Sequence, residues 1–458
     1  MEKTPARSAI LGLGISGEAA AELLRKSGGR VTVLDDRDDP VLRNRAAVLS
    51  RRGIEVRLGG GGLPEQLDLV VVSPGVPGNH PLVIAALERG VPVRGEVETA
   101  AARISLPLIA VTGTNGKTTT VEVLSRMLAA SGRRAVPAGN FGFPLSRAAL
   151  DQGGADELVV ELSSFQIERL ERFRCDVAVF LNYAPDHLDR HPDPEVYFRA
   201  KARLLSHLAP AGTAVIPFFL RRQLAGFIPP SARTVTWGGE KADIIVREDG
   251  IWSALASPPS MVIPLESVSL PGKHNLFNLA AAVGAALVRG AVPTALAGAV
   301  SGFTGIPHRL EVVGETPDGV VVVNDSKATN PHAAAAALRS HPGPLIWIAG
   351  GSEKGADFSL LRQAVGRVKL AIFIGETAPR LEAALGDLIA TATAASLERA
   401  LEVALAASGP GKAVLLSPAC ASFDMFANYQ DRGERFRALA AGLIRNCSPG
   451  GKKKEKGK

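Results

Sequence analysis

The sequence predicts an α/β protein of three domains built on mostly parallel β-sheets. Strand-like and helix-like runs alternate in the first and the last part of the chain, which indicates sheets with helices on both faces. Two glycine turns each follow a strand-like run and precede a helix-like run, as phosphate-binding loops do. The length of 458 residues also suits about three domains of roughly 150 residues each. We place the domains at residues 1–103, 104–305 and 306–448, followed by a disordered basic tail at 449–458.

The first domain is predicted to be Rossmann-like. Its glycine turn, Gly12-x-Gly14-x-x-Gly17, follows a strand, and Asp35 ends the next strand about 20 residues later. This is the dinucleotide fingerprint, so a nicotinamide-dependent oxidoreductase stays open as an alternative. Glycines allow the backbone to approach any diphosphate, however, and a uridine diphosphate fits the same turn. The predicted elements are strands at 8–11, 30–34, 55–58 and 67–72 and a helix at 18–26.

The second domain opens with a P-loop-like segment that predicts a triphosphate site. The apolar run 106–110 leads into Val111-Thr-Gly-Thr-Asn-Gly-Lys-Thr-Thr119, and a helix-like run follows at 121–130. The full P-loop pattern has a glycine where this chain has Val111, so only its second half is present. N–H groups at the helix start attract an anion, a lysine reaches the outer phosphates, and a threonine hydroxyl suits Mg²⁺. The residues assigned to the nucleotide here are Gly113, Thr114, Asn115, Gly116, Lys117, Thr118 and Thr119.

Further candidate ligands follow this loop in the second domain. Glu161 ends an apolar run, and Asp186-His187 follow another strand-like run. Mg²⁺ prefers oxygen donors and substrate phosphates, so a carboxylate at a strand end near the loop suits it. Lys201 lies in a helix-like run. Taken singly, each residue has an ordinary explanation as a capping or solvated side chain; their order after the loop is what favours a site.

The third domain, which begins near His308-Arg309, is also predicted to be Rossmann-like. Its apolar runs alternate again with helix-like runs. The predicted strands are 320–324, 345–349, 370–374 and 413–416, and the predicted helices are 333–339 and 397–407.

Composition narrows the class of protein. The net charge of +7 includes a tail with five lysines and one glutamate, so the rest of the chain carries only +3 and nucleic-acid binding is not expected. Three cysteines without metal spacing favour a reducing cytoplasm. No run is long enough to span a bilayer and no secretory signal is visible, so we expect no membrane insertion. We expect a monomer.

The order of these motifs resembles the Mur ligases, the ATP-dependent family that builds the peptide of the bacterial cell wall. The resemblance covers essentially the whole chain except the Lys-rich tail. Its most specific segments, Asp325-Ser-Lys-Ala-Thr-Asn330 and Ser417-Pro-Ala-Cys-Ala-Ser422, are most similar to those of the D-glutamate-adding members. The other segments are Gly139-Asn-Phe-Gly142, Glu161-Leu-Ser-Ser-Phe-Gln166, Asp186-His-Leu-Asp-Arg190, Gly272-Lys-His-Asn-Leu-Phe-Asn278 and Gly350-Gly-Ser-Glu-Lys-Gly355.

This resemblance implies a peptide-bond-forming ligase. D-Glutamate would be added to UDP-N-acetylmuramoyl-L-alanine through an acyl phosphate, with release of ADP and phosphate, in peptidoglycan precursor synthesis. It also implies ATP, two Mg²⁺ ions and a carbamate formed from CO₂ on Lys201. Another Mur ligase or a folylpolyglutamate synthase is the main alternative.

The resemblance assigns roles by position. His308 and Arg309 would approach the phosphates, and Asp36 departs from the hydroxyl residue usual in the family. The implied catalytic residues are Lys117, Lys201, His187, Lys327 and Arg309. The implied metal ligands are Thr118, Glu161, His187 and Lys201. The implied nucleotide contacts outside the loop are Asn275, Asn278, Arg309 and Asp325. The implied contacts of the UDP-linked substrate are Ile15, Ser16, Asp36, Arg37, Ser73, Asn140 and His187, and those of D-glutamate are Thr329, Lys354, Ser422 and Phe423.

Overall fold

The predicted α/β class is confirmed by the computed structural model of the chain. The structure describes residues 5–184, 193–270, 272–352 and 357–446. Cα packing divides the chain into two compact units, Met1–Phe303 and Thr304–Lys458. Within the described ranges, no helix combines the length and the apolar character needed to cross a membrane.

The first sheet is parallel throughout, with the strand order β3-β2-β1-β4-β5. All four residues of β4 are buried, as expected for the apolar strands of a parallel sheet covered on both faces. The strands are β1 (Arg7–Leu11), β2 (Arg30–Asp35), β3 (Glu55–Leu58), β4 (Leu69–Val72) and β5 (Val93–Gly95), and the helices are α1 (Ile15–Lys26), α2 (Pro40–Arg51), α3 (Pro81–Glu88) and α4 (Glu96–Ala101).

Helix α1 begins three residues before its predicted start. The N-cap is Gly14, so Gly17 lies inside the helix rather than in the turn. A Cβ at Gly17 would lie 1.9 Å from the backbone oxygen of Gly12. The third glycine of the motif therefore permits close packing of the helix on the turn.

The second sheet completes the first unit, with the order β14-β13-β12-β11-β10-β9-β6-β8-β7. Its strands are parallel from β7 to β12, and β13 and β14 extend the other edge of the sheet as antiparallel strands. The strands are β6 (Leu108–Thr112), β7 (Ala135–Gly139), β8 (Glu157–Glu161), β9 (Cys175–Phe180), β10 (Leu208–Pro217), β11 (Arg233–Gly238), β12 (Ile244–Val246), β13 (Gly250–Ser253) and β14 (Ser260–Pro264). The helices are α5 (Lys117–Ala130), α6 (Leu145–Leu150), α7 (Ser164–Ile167), α8 (Pro194–Ala202), α9 (Arg221–Leu224), α10 (Lys273–Val288) and α11 (Leu296–Val300).

The third sheet forms the second unit, with the order β15-β16-β20-β17-β18-β19. Its strands are parallel except for the β15–β16 hairpin. Apolar clusters cover both of its faces, as in a doubly wound fold. The strands are β15 (Glu311–Glu315), β16 (Val321–Asn324), β17 (Leu345–Gly350), β18 (Val368–Ile374), β19 (Thr391–Thr393) and β20 (Ala413–Leu416), and the helices are α12 (Pro331–Ser340), α13 (Ala378–Leu385), α14 (Leu397–Ala407) and α15 (Tyr429–Asn446).

Candidate active site

The polar residues predicted around the phosphate loop lie at one edge of the second sheet. Strand β6 pairs in parallel with β8 and β9, and β8 also pairs with β7. Because parallel strands end at the same edge, the segments that follow them meet there. This edge carries the phosphate loop after β6, Asn140 after β7, Glu161 at the end of β8 and Asn182 after β9.

Two glycines give the phosphate loop its shape. Gly116 has a φ of 83°, and a Cβ there would lie 2.1 Å from the side-chain oxygen of Asn278. Gly113 has a φ of 155°, and a Cβ there would lie 2.8 Å from the Cβ of Leu181. Neither position accommodates a side chain without displacing its neighbour. Helix α5 then begins at Lys117, so its first-turn N–H groups have no intrahelical acceptors and suit an anion.

Asn182 clamps this loop from the neighbouring strand. Its side-chain oxygen accepts from the Asn115 N–H (2.9 Å), and its side-chain nitrogen donates to the Asn115 carbonyl (3.0 Å). Its own carbonyl accepts from the Thr114 N–H (3.1 Å). The N–H groups of Thr114 and Asn115 are thus engaged inside the protein. We expect the donors that face a phosphate to be the N–H groups of the first turn of α5.

Two lysines meet at the carbonyl oxygen of Gly113. The Lys117 Nζ donates to the carbonyls of Gly113 and Thr114, both at 2.9 Å. The Lys201 Nζ, from α8, donates to Gly113 at 3.0 Å and lies 4.6 Å from the ring centroid of Tyr197. Lys201 is only 2% exposed. The structure therefore brings together two lysines that are 84 positions apart in the sequence.

Glu161 presents one oxygen to the site. Its Oε1 accepts from the side-chain nitrogen of Asn140 at 2.7 Å. Its Oε2 is buried and has no hydrogen-bond partner among the described residues. A buried carboxylate oxygen without a partner is costly unless a ligand satisfies it. The hydroxyl-bearing Thr118 is buried at the same sheet edge. This donor set of oxygens fits Mg²⁺.

The two asparagines predicted to contact the nucleotide, Asn275 and Asn278, lie at the phosphate loop. Asn278, on α10, is buried, and its side-chain nitrogen donates to the side-chain oxygen of Asn275 at 3.2 Å. Helices α10 and α5 pack closely, which places Asn278 beside Gly116. The structure thus joins these two predicted residues to the loop.

In the second unit, the predicted residues also gather at the carboxyl ends of parallel strands. Asp325, Lys327 and Thr329 follow β16, and the segment that ends at Ser422 follows the adjacent strand β20. Ser422 is buried, whereas Phe423 is 65% exposed. The Phe423 N–H donates to the Ser352 hydroxyl, which links this segment to the loop after β17.

Asp325 is buried and is held by two donors. Its Oδ2 accepts from the Ser417 hydroxyl at 2.8 Å, and its Oδ1 accepts from the Leu310 N–H at 3.2 Å. Burial raises the pKa of Asp325 to about 7, and these hydrogen bonds and the positive charges of Arg309 and Arg432 only partly oppose the rise.

His308 occupies a left-handed backbone position, with a φ of 65°. Its Nδ1 lies 3.0 Å from the side-chain nitrogen of Asn324, and its Nε2 lies 3.4 Å from Glu434 Oε1. Burial lowers its pKa despite the nearby carboxylates of Glu311 and Glu434. A neutral ring that accepts from Asn324 through Nδ1 fits these contacts.

The glycine turn of the first sheet is stabilised by two polar side chains. The Ser73 hydroxyl donates to the Gly12 carbonyl at 2.8 Å. Asp35 accepts from the Leu13 N–H at 2.8 Å and from the Arg37 N–H at 3.0 Å. Burial alone would raise the pKa of Asp35, but these hydrogen bonds and the Arg37 charge outweigh it, so the pKa is lowered. Both oxygens of Asp35 thus accept hydrogen bonds from the protein backbone, whereas a dinucleotide site needs this carboxylate to bind a ribose hydroxyl.

Asp36 bonds to a residue that the sequence did not single out. Its Oδ2 lies 2.8 Å from Nε2 of His80, and the His80 Nδ1 accepts from the Leu82 N–H at the start of α3. The remaining predicted residues of this domain lie at the same edge: Ile15 is 65% exposed, and Ser16 is half-buried in the first turn of α1. Two other predicted site residues, His187 and Lys354, lie outside the described residues.

Comparison with known proteins supports this arrangement along the whole chain. Three family models match successive segments: the Mur ligase MurD-like N-terminal domain at residues 6–95, the Mur ligase middle domain at 111–286, and the Mur ligase glutamate ligase domain at 308–420. The chain belongs to the Mur ligase family. The predicted three-domain Mur ligase architecture is thereby confirmed.

Curated relatives of this Mur ligase are similar over nearly their full length. The UDP-N-acetylmuramoylalanine–D-glutamate ligase of Anaeromyxobacter dehalogenans is 43% identical, with 95% of this chain and 97% of the relative covered. The enzyme of the same name from Gloeobacter violaceus is also 43% identical, with 95% and 99% covered.

Solved structures share the fold of this Mur ligase at lower identity. The UDP-N-acetylmuramate–alanine ligase MurC of Thermotoga maritima superposes with a TM-score of 0.58 at 17% identity, covering 95% of this chain and 99% of that one. The MurF ligase of the same organism, in complex with ADP, gives a TM-score of 0.57 at 17% identity, covering 91% and 95%.

Sequence reasoning missed several residues that shape the site of this Mur ligase. Asn182 clamps the phosphate loop, and His80 binds Asp36. Arg432 is fully buried and donates to the carbonyls of Ser326 (2.9 Å) and Cys420 (3.2 Å), so it ties the loop after β16 to the loop after β20. The sequence signal for Asn182 was its place directly after a buried strand. The other two lie in helices or loops and show no such pattern.

Proposed function

We propose that this protein joins D-glutamate to UDP-N-acetylmuramoyl-L-alanine, consumes ATP and releases ADP and phosphate, in cytoplasmic synthesis of the peptidoglycan precursor. One observation carries this proposal: Lys117, Glu161 and Lys201 converge at one sheet edge in a chain that is 43% identical over its length to D-glutamate ligases. We propose a monomer as the working unit.

The first step is phosphoryl transfer to the substrate carboxylate. A carboxylate oxygen attacks the γ-phosphorus, and the bond between this phosphorus and the oxygen that bridges it to the β-phosphate breaks. ADP is the leaving group, and the substrate carboxylate becomes an acyl phosphate. The first-turn N–H groups of α5 and the Lys117 ammonium hold the phosphates and screen the repulsion between two anions. For this, Lys117 leaves the carbonyls of Gly113 and Thr114.

The metal sites are part of the proposal. Thr118, Glu161, His187 and Lys201 would hold Mg²⁺, which when bound neutralises charge on the phosphate oxygens. The buried, unpartnered Oε2 of Glu161 supports this assignment. Lys201 would serve as a carbamate formed with CO₂, because a bare ammonium repels a cation whereas a carbamate offers anionic oxygens.

The second step is amide formation. The D-glutamate amine attacks the acyl carbon, the carbon–oxygen bond to phosphate breaks, and the amine loses a proton. We assign D-glutamate to Thr329, Lys354, Ser422 and Phe423, and the reacting groups to Lys327. Lysines and hydroxyls suit an amino acid with two carboxylates better than a neutral one.

The remaining assignments follow the domains, which we place at 1–103 for the UDP-linked substrate, 104–305 for ATP and 306–448 for the amino acid. Asn275, Asn278, Arg309 and Asp325 would contact ATP. Ile15, Ser16, Asp36, Arg37, Ser73 and Asn140 would contact the UDP-linked substrate. The Ser73 hydroxyl donates to Gly12 of the glycine turn, and Arg37 donates to Asp35, which itself accepts from the Leu13 N–H of that turn; these bonds support a pre-formed diphosphate cradle.

A panel of amines tests the proposed function. The purified chain is mixed with ATP, Mg²⁺ and UDP-N-acetylmuramoyl-L-alanine, and D-glutamate, L-glutamate, L-alanine, diaminopimelate or lysine is added. We expect ADP release and a product mass for one added glutamate with the D-isomer alone. ATP turnover without either substrate, or ligation of another amine, contradicts the proposal. Lys117→Ala is the matched inactive control.

A further inference from the structure

The backbone around Lys327 is fixed to the first turn of α15. The Ser326 hydroxyl donates to the carbonyl of Tyr429 at 2.8 Å. Arg432 Nε donates to the Ser326 hydroxyl, and Arg432 Nη2 donates to the Ser326 carbonyl, both at 2.9 Å. Ser326 and Arg432 are fully buried. Burial lowers the pKa of Arg432 only to about 10, so the guanidinium stays charged at neutral pH. The loop before Lys327 therefore cannot shift without moving α15.

The side chain of Tyr429 extends along Lys327. The Lys327 Nζ lies 3.4 Å from the phenol oxygen and 5.1 Å from the ring centroid. The ring of Tyr429 is in turn held edge-to-face by His308, at 6.4 Å between centroids and 78° between planes. A phenol oxygen can accept from an ammonium and still donate its own proton elsewhere. The hydroxyl and the ring thus act on the same lysine from a fixed position.

A lysine needs such support if it acts on a reacting group. Its four-carbon stem has many rotamers, so an unrestrained ammonium is spread over many positions. A charged group lowers the activation free energy most when it already lies where charge develops in the transition state. Lys327 is half-buried, and its backbone N–H donates to the His308 carbonyl at 2.9 Å. Its backbone and its ammonium are therefore both restrained by residues of the same small cluster: His308, Ser326 and Tyr429.

We propose that Tyr429 is a positioning residue that directs the Lys327 ammonium toward the reacting groups of the incoming acidic amino acid. The inference rests on the proposed function, because Lys327 is assigned its role there. Tyr429 acts through its hydroxyl, by a hydrogen bond from the ammonium, and through its ring, by cation–π attraction. It makes no bond to substrate in this proposal.

A double-mutant cycle tests the inference. Tyr429→Phe removes the hydroxyl and keeps the ring, and we expect kcat/KM for D-glutamate to fall about tenfold while KM for ATP stays unchanged. Tyr429→Leu removes both contacts and should lose more. In a Lys327→Met background, Tyr429→Phe should cause no further loss. A purely structural role for Tyr429 predicts losses that multiply, and that outcome overturns the proposal, as does a fully active Tyr429→Phe.

A second readout separates this inference from the proposed function. Lysines of the intact protein are ¹³C-methylated, and the Lys327 signal is assigned by its absence in Lys327→Arg. We expect that signal to move in Tyr429→Phe and further in Tyr429→Leu, and an unmoved signal overturns the contact itself. If the wild-type protein does not ligate D-glutamate, the proposed function fails, but the NMR signal still tests the contact between Lys327 and Tyr429. If Lys327→Met keeps full activity, the assigned role of Lys327 fails and the positioning role fails with it.

Discussion

Lys117 and Lys201 donate hydrogen bonds to the same backbone oxygen, that of Gly113, at 2.9 and 3.0 Å. A carbonyl has two lone pairs and can accept both bonds, but two ammonium groups at one oxygen repel each other. The repulsion is weakly screened because Lys201 is buried. Reversing the charge of one of them would remove it. Lys117 ends the phosphate loop, where we expect its positive charge to hold the phosphates, so the proposed conversion to an anion falls on Lys201.

We expect Lys201→Ala to lose turnover by orders of magnitude and to regain part of it when a small carboxylate is added. The carboxylate would take the place of the carbamate oxygens in the buried space left by the side chain. ADP release is measured with and without the additive. Lys117→Ala is the matched control: it should lose turnover equally and gain nothing from a carboxylate, because the missing charge is positive. An active Lys201→Ala variant that ignores the additive contradicts a carbamate.

Glu161→Gln should separate stability from activity. The unpartnered Oε2 is a buried charged oxygen, and a neutral amide of the same shape costs less to bury. We expect a melting temperature without Mg²⁺ at least as high as that of the wild type, and turnover lower by about a hundredfold or more. Thermal unfolding and ADP release measure the two effects.

The control for Glu161→Gln lies at the other end of the same strand. Glu157 is fully buried but is paired with Arg133 at 2.6 Å and with Arg289 at 2.7 Å. Glu157→Gln leaves two arginines without their shared carboxylate, so it should lower the melting temperature. Equal loss of stability in both variants would show that Glu161 is a structural residue.

The sequence predicted what is local in this molecule. The bounds of β3, β20 and α14 match the predicted runs residue for residue, because β3 alternates charged with apolar residues, β20 is a continuous apolar run, and α14 is amphipathic. The phosphate loop was visible for the same reason: its glycines, lysine and threonine lie within a few consecutive positions between a strand and a helix. The match of motif order to a known family then supplied the site residues that lie far apart.

The long-range side-chain pairs could not be predicted. Asp36 and His80 are 44 positions apart, and Arg432 and Ser326 are 106 apart. Such pairs depend on which strand ends become neighbours, and propensity and periodicity carry no information on that. The hydrogen bond from the Ser73 hydroxyl to the Gly12 carbonyl, 61 positions away, is another such pair, and the role of Ser73 in substrate binding stays a prediction.

We expect the Asp36–His80 pair to affect binding of the UDP-linked substrate. His80→Asn keeps a side chain that can cap α3 and loses the ring nitrogen that reaches Asp36. KM for this substrate should rise about threefold to tenfold, with KM for ATP and thermal stability unchanged. The effect is modest because Asp36 is 65% exposed on its side chain. Asp36→Ala should give a similar rise in KM, and combining it with His80→Asn should raise KM little further. If the two rises in KM multiply in the double variant, the two residues act separately.

Asp325 should make the stability of the second unit depend on pH. Its folded-state pKa of about 7 lies above the ordinary value of 3.8, so the folded protein holds a proton that the unfolded chain releases. This contribution is fully present below pH 4, decreases by about 1.4 kcal/mol per pH unit as the pH rises, and is lost above about pH 7. In Asp325→Asn the side chain cannot titrate. We therefore expect the melting temperature of the wild type, relative to that of Asp325→Asn, to fall steadily between pH 4.5 and 7 and to level off above it. A constant difference over this range would mean that Ser417 and the nearby arginines keep the buried carboxylate ionised.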